Sequence, residues 1–116
     1  MLKLPSMTKI RERSSLEEAV GLYEARDLDG ALNVINRLLQ LGTDSADIRL
    51  LRGNIFFNKS DYRGAEQEYR TGLKINPDDD NLHYNLGLAL CEQGIGRGAH
   101  EHIKRAYELL KSRESK

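Results

Sequence analysis

Along residues 16–39 the apolar side chains recur three or four places apart instead of alternating. Leu16, Ala19, Val20 and Tyr23 line one stripe; Leu28, Ala31, Leu32, Ile35, Leu38 and Leu39 line a second. That is the helical period, and it predicts two short amphipathic helices. The same pattern predicts a pair over roughly 46–59 and 62–76, and another over 80–93 and 96–113. The breaks carry matching punctuation. Ser14 and Glu17 have the spacing of a capping box. Asp44, Asp61 and Asp80 stand where a carboxylate can accept from free helix N–H groups, and Pro77 ends the fourth helix because it has no N–H to continue it. Six helices in three antiparallel pairs are expected.

Sliding the chain along itself by about 34 residues aligns these pairs, and a fixed period of this length is the mark of a repeat architecture. Gly30, Gly64 and Gly98 form one column, and Ala31, Ala65 and Ala99 the next. Ala19, Gly53 and Gly87 make a third column of small residues. Apolar columns follow: Leu22, Phe56 and Leu90; Ile35, Tyr69 and Ile103; Leu41, Ile75 and Leu109. Small residues suit points where helices cross closely, and larger apolar residues fill the space between at close-packed density.

The pattern resembles the tetratricopeptide repeat family, whose unit is a helix–turn–helix of this length. The middle unit carries Gly53, Phe56, Ala65, Tyr69 and Pro77 at the family's spacing; the last carries Leu86, Gly87, Leu90, Ala99 and Ile103. Departures are visible. Lys111 and Thr43 stand where the family has proline, and Ser15, Arg49 and His83 where it has tryptophan. The resemblance implies an all-α, right-handed superhelical solenoid over 14–113, divided at 14–45, 46–79 and 80–113. Residues 1–13 are then a flexible extension and 114–116 a short tail.

The repeat disposes of the most suggestive stretch, "CEQGIGRGAH" at 91–100. Its glycines resemble a phosphate cradle, but no strand precedes them, as such a loop requires. Gly98 belongs to the 30/64/98 column, and Gly94 with Gly96 makes the turn between the last two helices.

Charge and composition remove further classes. Eighteen basic side chains balance eighteen acidic ones, which leaves no basic excess for gripping nucleic acid or an anionic membrane. No apolar run approaches the roughly 18–20 residues of a membrane span, and "MLKLPSMTKI" is too broken for a secretory segment. The single cysteine, Cys91, forms no internal disulfide, which fits a reducing, cytoplasmic setting.

Cys91, His100 and His102 invite a metal, but zinc needs about four converging donors. His100 and His102, two apart on a helix, point in different directions, and His83 has no partner in sequence. Nor does any nucleophile–base–orienter set present itself; Glu92 beside Cys91 works against a thiolate, and "DDD" at 78–80 reads as the acidic start of a helix. Neither a cofactor nor a metal nor catalysis is expected.

The expected activity is binding. Solenoids of this kind use an extended concave surface, and by resemblance the first helix of each pair lines it. The inward positions are Arg13, Leu16, Glu17, Val20 and Tyr23; Asp47, Leu50, Leu51, Asn54 and Phe57; and Asn81, Tyr84, Asn85, Leu88 and Cys91. The peptide-binding residues proper are Leu16, Val20, Tyr23, Leu50, Asn54, Phe57, Asn81, Tyr84, Asn85 and Leu88. An apolar patch of this size marks a partner site, and asparagines both donate to and accept from a peptide backbone. A non-enzymatic adaptor, scaffold or chaperone-like module is implied, holding an apolar segment of another protein. Micromolar affinity is expected, because a few anchors at about 1.5–3 kcal/mol each must offset several kcal/mol of ordering. One use of the family is excluded. Leu16, Val20, Leu51, Asn81 and Asn85 stand where a chaperone-tail clamp places its cations and asparagines, so a terminal carboxylate finds no charge to hold it. A second reading comes from the last helix. Ile103, Tyr107 and Leu110 form an apolar edge that "KSRESK" is too short to cap, so that edge could build a homodimer or longer array.

Overall fold

The computed structural model describes residues 7–114, which form six α-helices and no strand. They are α1 (Met7–Glu24), α2 (Leu28–Gln40), α3 (Ala46–Asn58), α4 (Tyr62–Ile75), α5 (Asp80–Glu92) and α6 (Gly96–Glu114). Consecutive helices pair as expected: α1 with α2, α3 with α4, and α5 with α6. Two compact units divide the chain, one ending at Asp44 and the other starting at Ser45.

In the first unit, Ala19 of α1 faces the buried stripe Ala31, Val34, Ile35 and Leu38 of α2. The helix α1 begins well before the expected start at Ser14, so Met7–Arg13 is helix and not tail. Ser14 and Glu17 therefore lie inside it, and their spacing is no capping box. Thr43 Oγ1 donates to Glu12 Oε1 at 2.8 Å, tying the exit of α2 to that added stretch. The expected tails at 1–6 and 115–116 lie outside the described residues.

The second unit holds two hairpins around one core: Ala65 and Tyr69 of α4, Leu82, Leu86, Ala89 and Leu90 of α5, and Ala99 of α6. Two of the small-residue positions make it possible. A Cβ on Gly53 would meet the Tyr69 ring (2.7 Å to Cδ1), and one on Gly72 would meet the Leu82 methyls at 2.9 and 3.0 Å. The first lets α4 close on α3, the second lets α5 close on α4.

Local punctuation differs from expectation in instructive ways. Asp61 caps α4 as read, and Asp27 caps α2; each accepts from the backbone of a glycine three places on, at 2.9 Å. Gly30 and Gly64 are small for that reason: a Cβ there would collide with the capping carboxylate, not with a crossing helix. Ile95 stands at the same register position before Gly98 and offers no cap. Ser45, not Asp44, caps α3 through Ile48 N, and Asp79, not Asp80, caps α5 through Leu82 N. The three hairpin turns place Arg26, Ser60 and Gly94 in the left-handed region at φ 69°, 63° and 79°, one repeat apart. Only Gly94 is of the type that tolerates this without strain. Gly96 is already the first residue of α6. Pro77 follows the end of α4 at Ile75 as predicted. Leu41 and Ile75, read as filling an apolar column, are instead exposed at helix ends.

Candidate functional site

Within the second unit, α3 and α5 lie side by side and share a polar centre. Tyr69 of α4 is buried to its ring and donates its hydroxyl to Asn54 Oδ1 at 2.6 Å. Asn85 Nδ2 donates to the same oxygen at 3.1 Å. Asn54 Oδ1 is thus fully engaged inside the protein and does not accept from a ligand, contrary to the expectation that each asparagine offers both functions. What remains is complementary: among the described residues no hydrogen bond engages the Asn54 amide N–H groups or the Asn85 carbonyl, and neither is a buried atom left without a partner. Both are held in fixed orientation by the shared oxygen.

Around this pair stand the apolar candidates. Leu50 and Phe57 are half-buried and rest on the core cluster; Phe57 meets Tyr62 edge-on with centroids 5.1 Å apart. Leu88 is half-buried and Tyr84 is 48% exposed. Leu51, counted among the inward positions, is in the core. In the first unit Leu16 and Tyr23 are half-buried and Val20 is exposed. Leu16, Val20 and Tyr23 are therefore described on their own helix only.

Asn81 and Tyr84 line a second surface. With Asp80 they form one wall of an open groove of about 260 Å³, whose other wall is Ile103, Ala106, Tyr107 and Leu110 of α6. The residues expected as a groove and those expected as an edge thus meet at α5. Tyr107 is 72% and Leu110 44% exposed, while Ile103 is half-buried. Asp80, at this groove, is ion-paired with Arg113.

The column that lacks tryptophan holds cross-helix polar pairs. Arg49 of α3 reaches Glu68 of α4 at 3.0 Å, and Arg52 pairs with the same carboxylate while its guanidinium lies 4.8 Å from the Phe56 ring centre. Glu68 is only 5% exposed. One repeat on, His83 and His102 take the corresponding places. Their rings stack, with Nδ1 atoms 3.1 Å apart, and His83 Nε2 lies 2.8 Å from Pro77 O. A carbonyl only accepts, so His83 Nε2 carries the hydrogen, and His102 Nδ1–H then donates to His83 Nδ1. His83, read as unpartnered, has a partner that only the hairpin supplies.

Burial pushes the His102 pKa below its usual 6.5, and the neighbouring charges of His83 and Arg70 push the same way against Glu101 and Glu66. Below 6.5 the unfolded chain therefore binds more protons than the folded one. The stability this pair contributes is present above 6.5 and lost as the pH falls through the lower folded value. Urea midpoints at pH 7.5 and 5.5 should fall with acid in the parent, and fall less in His102→Gln. Equal slopes in the two proteins would remove the pair from the balance.

No cluster of three metal-ligating side chains occurs among the described residues. Cys91 is a free, exposed thiol, and His100 is exposed on the first turns of α6. No described helix is long and apolar enough to cross a membrane.

Known proteins bear on this geometry at the level of repeat and fold. Residues 53–94 match the family model described as TPR repeat, the stretch that spans α4 and α5 with the second half of α3. No curated protein sequence matches the chain. Among solved structures, a crystal structure of MamA aligns over 90% of this chain with TM-score 0.82 at 18% identity. MamA 41-end from Desulfovibrio magneticus RS-1 aligns over 86% with TM-score 0.78, also at 18% identity. A MamA RS-1 ArsTM double mutant aligns over 90% with TM-score 0.81, again at 18% identity. The chain spans 61%, 56% and 59% of those three chains. The all-α, tetratricopeptide-like fold read from the repeating columns is borne out.

Proposed function

We propose, from the premise that this chain is built of tetratricopeptide repeats and so is a module for meeting other proteins, that α3 and α5 bind an apolar peptide segment of a partner. The reading rests above all on the Asn54–Asn85 pair. A hydrogen-bond donor and an acceptor, pre-set by Tyr69, match the carbonyl and N–H of one residue in an extended segment. Leu50, Phe57, Leu88 and Tyr84 flank it and supply surface for alternate side chains of the segment. Because the asparagines are already ordered, binding costs fall mainly on the ligand. The role is non-enzymatic, that of an adaptor, scaffold or chaperone-like holder in a cytoplasmic setting.

The test is a paired capture experiment with the parent and Leu50→Glu/Phe57→Glu. Both positions are partly open to solvent, so helicity by circular dichroism should be unchanged while partners are lost. Asn54→Ala should weaken capture by about tenfold, the equivalent of roughly 1.4 kcal/mol. If the double variant retains the same proteins as the parent, the binding surface lies elsewhere.

A further inference from the structure

Within its unit, α6 packs on α5 alone, and it does so with little apolar bulk. The buried side chains of α6 are two alanines, Ala99 and Ala106; Ile103 and Leu109 are half-buried. A helix with so few buried anchors belongs at the low end of local stability. His102 stands three residues after Ala99 and four before Ala106, on the same face and in the middle of this seam. There it meets His83 of α5, with the two Nδ1 atoms 3.1 Å apart.

The bonding of this pair limits how many protons it holds. His83 Nε2–H is committed to Pro77 O, so one hydrogen lies between the two Nδ1 atoms. A first added proton goes to His102 Nε2 and leaves that hydrogen bond in place. A second enters only at His83 Nδ1, where two N–H groups then face each other across 3.1 Å and both rings are positive. Charged neighbours do not offset two positive rings. Arg70 and Glu66 of α4 already pair with each other at 2.9 Å, and Arg49 and Arg52 of α3 pair with Glu68. On α6 itself, Arg105 pairs with Asp78 of the preceding turn, Arg113 pairs with Asp80, and Glu101 is exposed.

We infer that His83 and His102 form an acid-operated latch: two protons on the pair release α6 from α5 while α3 and α4 stay packed. The sign follows from proton binding. Once apart, each imidazole takes a proton near the ordinary 6.5, whereas the closed pair excludes at least one. Acid therefore favours the open form. Ordinary carboxylates titrate near pH 4, below this window, and the chain has three histidines, of which only His100 lies outside the pair. Opening bares Gly87 and Leu90 of α5, where Ile103 and the Gly98–Ala99 backbone of α6 now lie. The latch locates the acid response in one helix, and it holds whether or not the asparagine pair binds a peptide.

Amide hydrogen exchange of the full chain tests this, read by NMR at pH 7.5 and 5.5 and corrected for the intrinsic rate at each pH. The opening constant of α6 amides should rise with acid by about tenfold if the closed pair excludes one proton, and by about a hundredfold if it excludes two. At pH 5.5 these amides should open at least about tenfold more readily than those of Tyr69 and Gly72 in α4. In His102→Gln the side-chain amide can accept from a charged His83 as well as donate to a neutral one, so the rise should drop below about threefold. His83→Gln gives the same reading from the other ring if that variant fails to fold, and His100→Gln should behave as the parent. The latch is overturned if the parent's α6 opens less than about threefold more readily at pH 5.5 than at pH 7.5, or if the glutamine variants of the pair respond as the parent does. It is equally overturned if α6 and α4 amides exchange with one common opening constant at pH 5.5, because the whole unit would then unfold together.

Discussion

The substitution Gly53→Val is expected to cost about 3 kcal/mol or more, the upper range for overpacking a filled core, and to unfold much of the Ser45–Lys116 unit near room temperature. A Cβ on Gly53 would stand 2.7 Å from Tyr69 Cδ1 and 3.0 Å from Cζ. The ring has little freedom to retreat. It is 1% exposed, and its hydroxyl is held by Asn54 at 2.6 Å. Gly53→Ala presents the same first carbon with less bulk. Its gain in helix propensity, about 1 kcal/mol, is outweighed by overpacking of about 1–3 kcal/mol. Gly21 is the control. It too lies within a helix, but nothing comes within 4 Å of its added Cβ, so Gly21→Ala should stabilise by about 0.5–1 kcal/mol. Urea denaturation followed by circular dichroism reads all three. If the two alanine variants shift the same way, propensity rather than packing governs the Gly53 position.

The contrast between those glycines shows what could be read in advance. The columns Gly53/Gly87 and Ala31/Ala65/Ala99 were legible because close helix crossings tolerate few residue types, and the constraint recurs with every repeat. The Gly30/Gly64 column was equally visible, but its cause was not. A glycine beneath a capping Asp27 or Asp61 looks the same in sequence as a glycine at a crossing. The start of α1 was hidden for a similar reason, since Ser14 and Glu17 carry the spacing of a cap in a place where the helix continues.

Less of the candidate site was legible. Periodicity places Leu50, Asn54, Phe57 and Tyr84 on partly open faces, and they are there. The committed state of each amide is a matter of rotamer and neighbour. Nothing in sequence says that Tyr69 spends its hydroxyl on Asn54, leaving a donor on one asparagine and an acceptor on the other. The polar pairs at the missing-tryptophan column were invisible for a further reason. Their positions repeat, but their chemistry does not: Arg49 with Glu68 is followed one repeat on by His83 with His102, while Ser15 and Val34 at the earlier positions are no polar pair. A search for recurring residue types passes over them, whereas a search for cross-helix positions at one fixed spacing within each hairpin would have found the signal. Each pair spans a hairpin, so the column keeps its role in joining two helices while its residues change.

Joining hairpin to hairpin is a separate task, and Leu82 carries it at the α4–α5 contact. Leu82→Ala is expected to destabilise by about 2–5 kcal/mol, as for other large-to-small changes in a core, because Leu82 is fully buried and its methyls fill the hollow over Gly72. Gly72→Ala alone should also destabilise, by about 1–3 kcal/mol, since its Cβ meets those same methyls. The two changes should not add. With Leu82 trimmed, the alanine methyl at position 72 enters space the leucine has vacated, leaving only Arg49 Cβ at 3.3 Å to adjust by a few tenths of an ångström. The double variant should therefore be more stable than the sum of the singles predicts, with a coupling within the range of about 0.5–3 kcal/mol seen for residues in contact. Equilibrium unfolding of the four proteins measures it. Simple additivity would mean that the two residues do not share one cavity, and the close approach of α5 to α4 would need another cause.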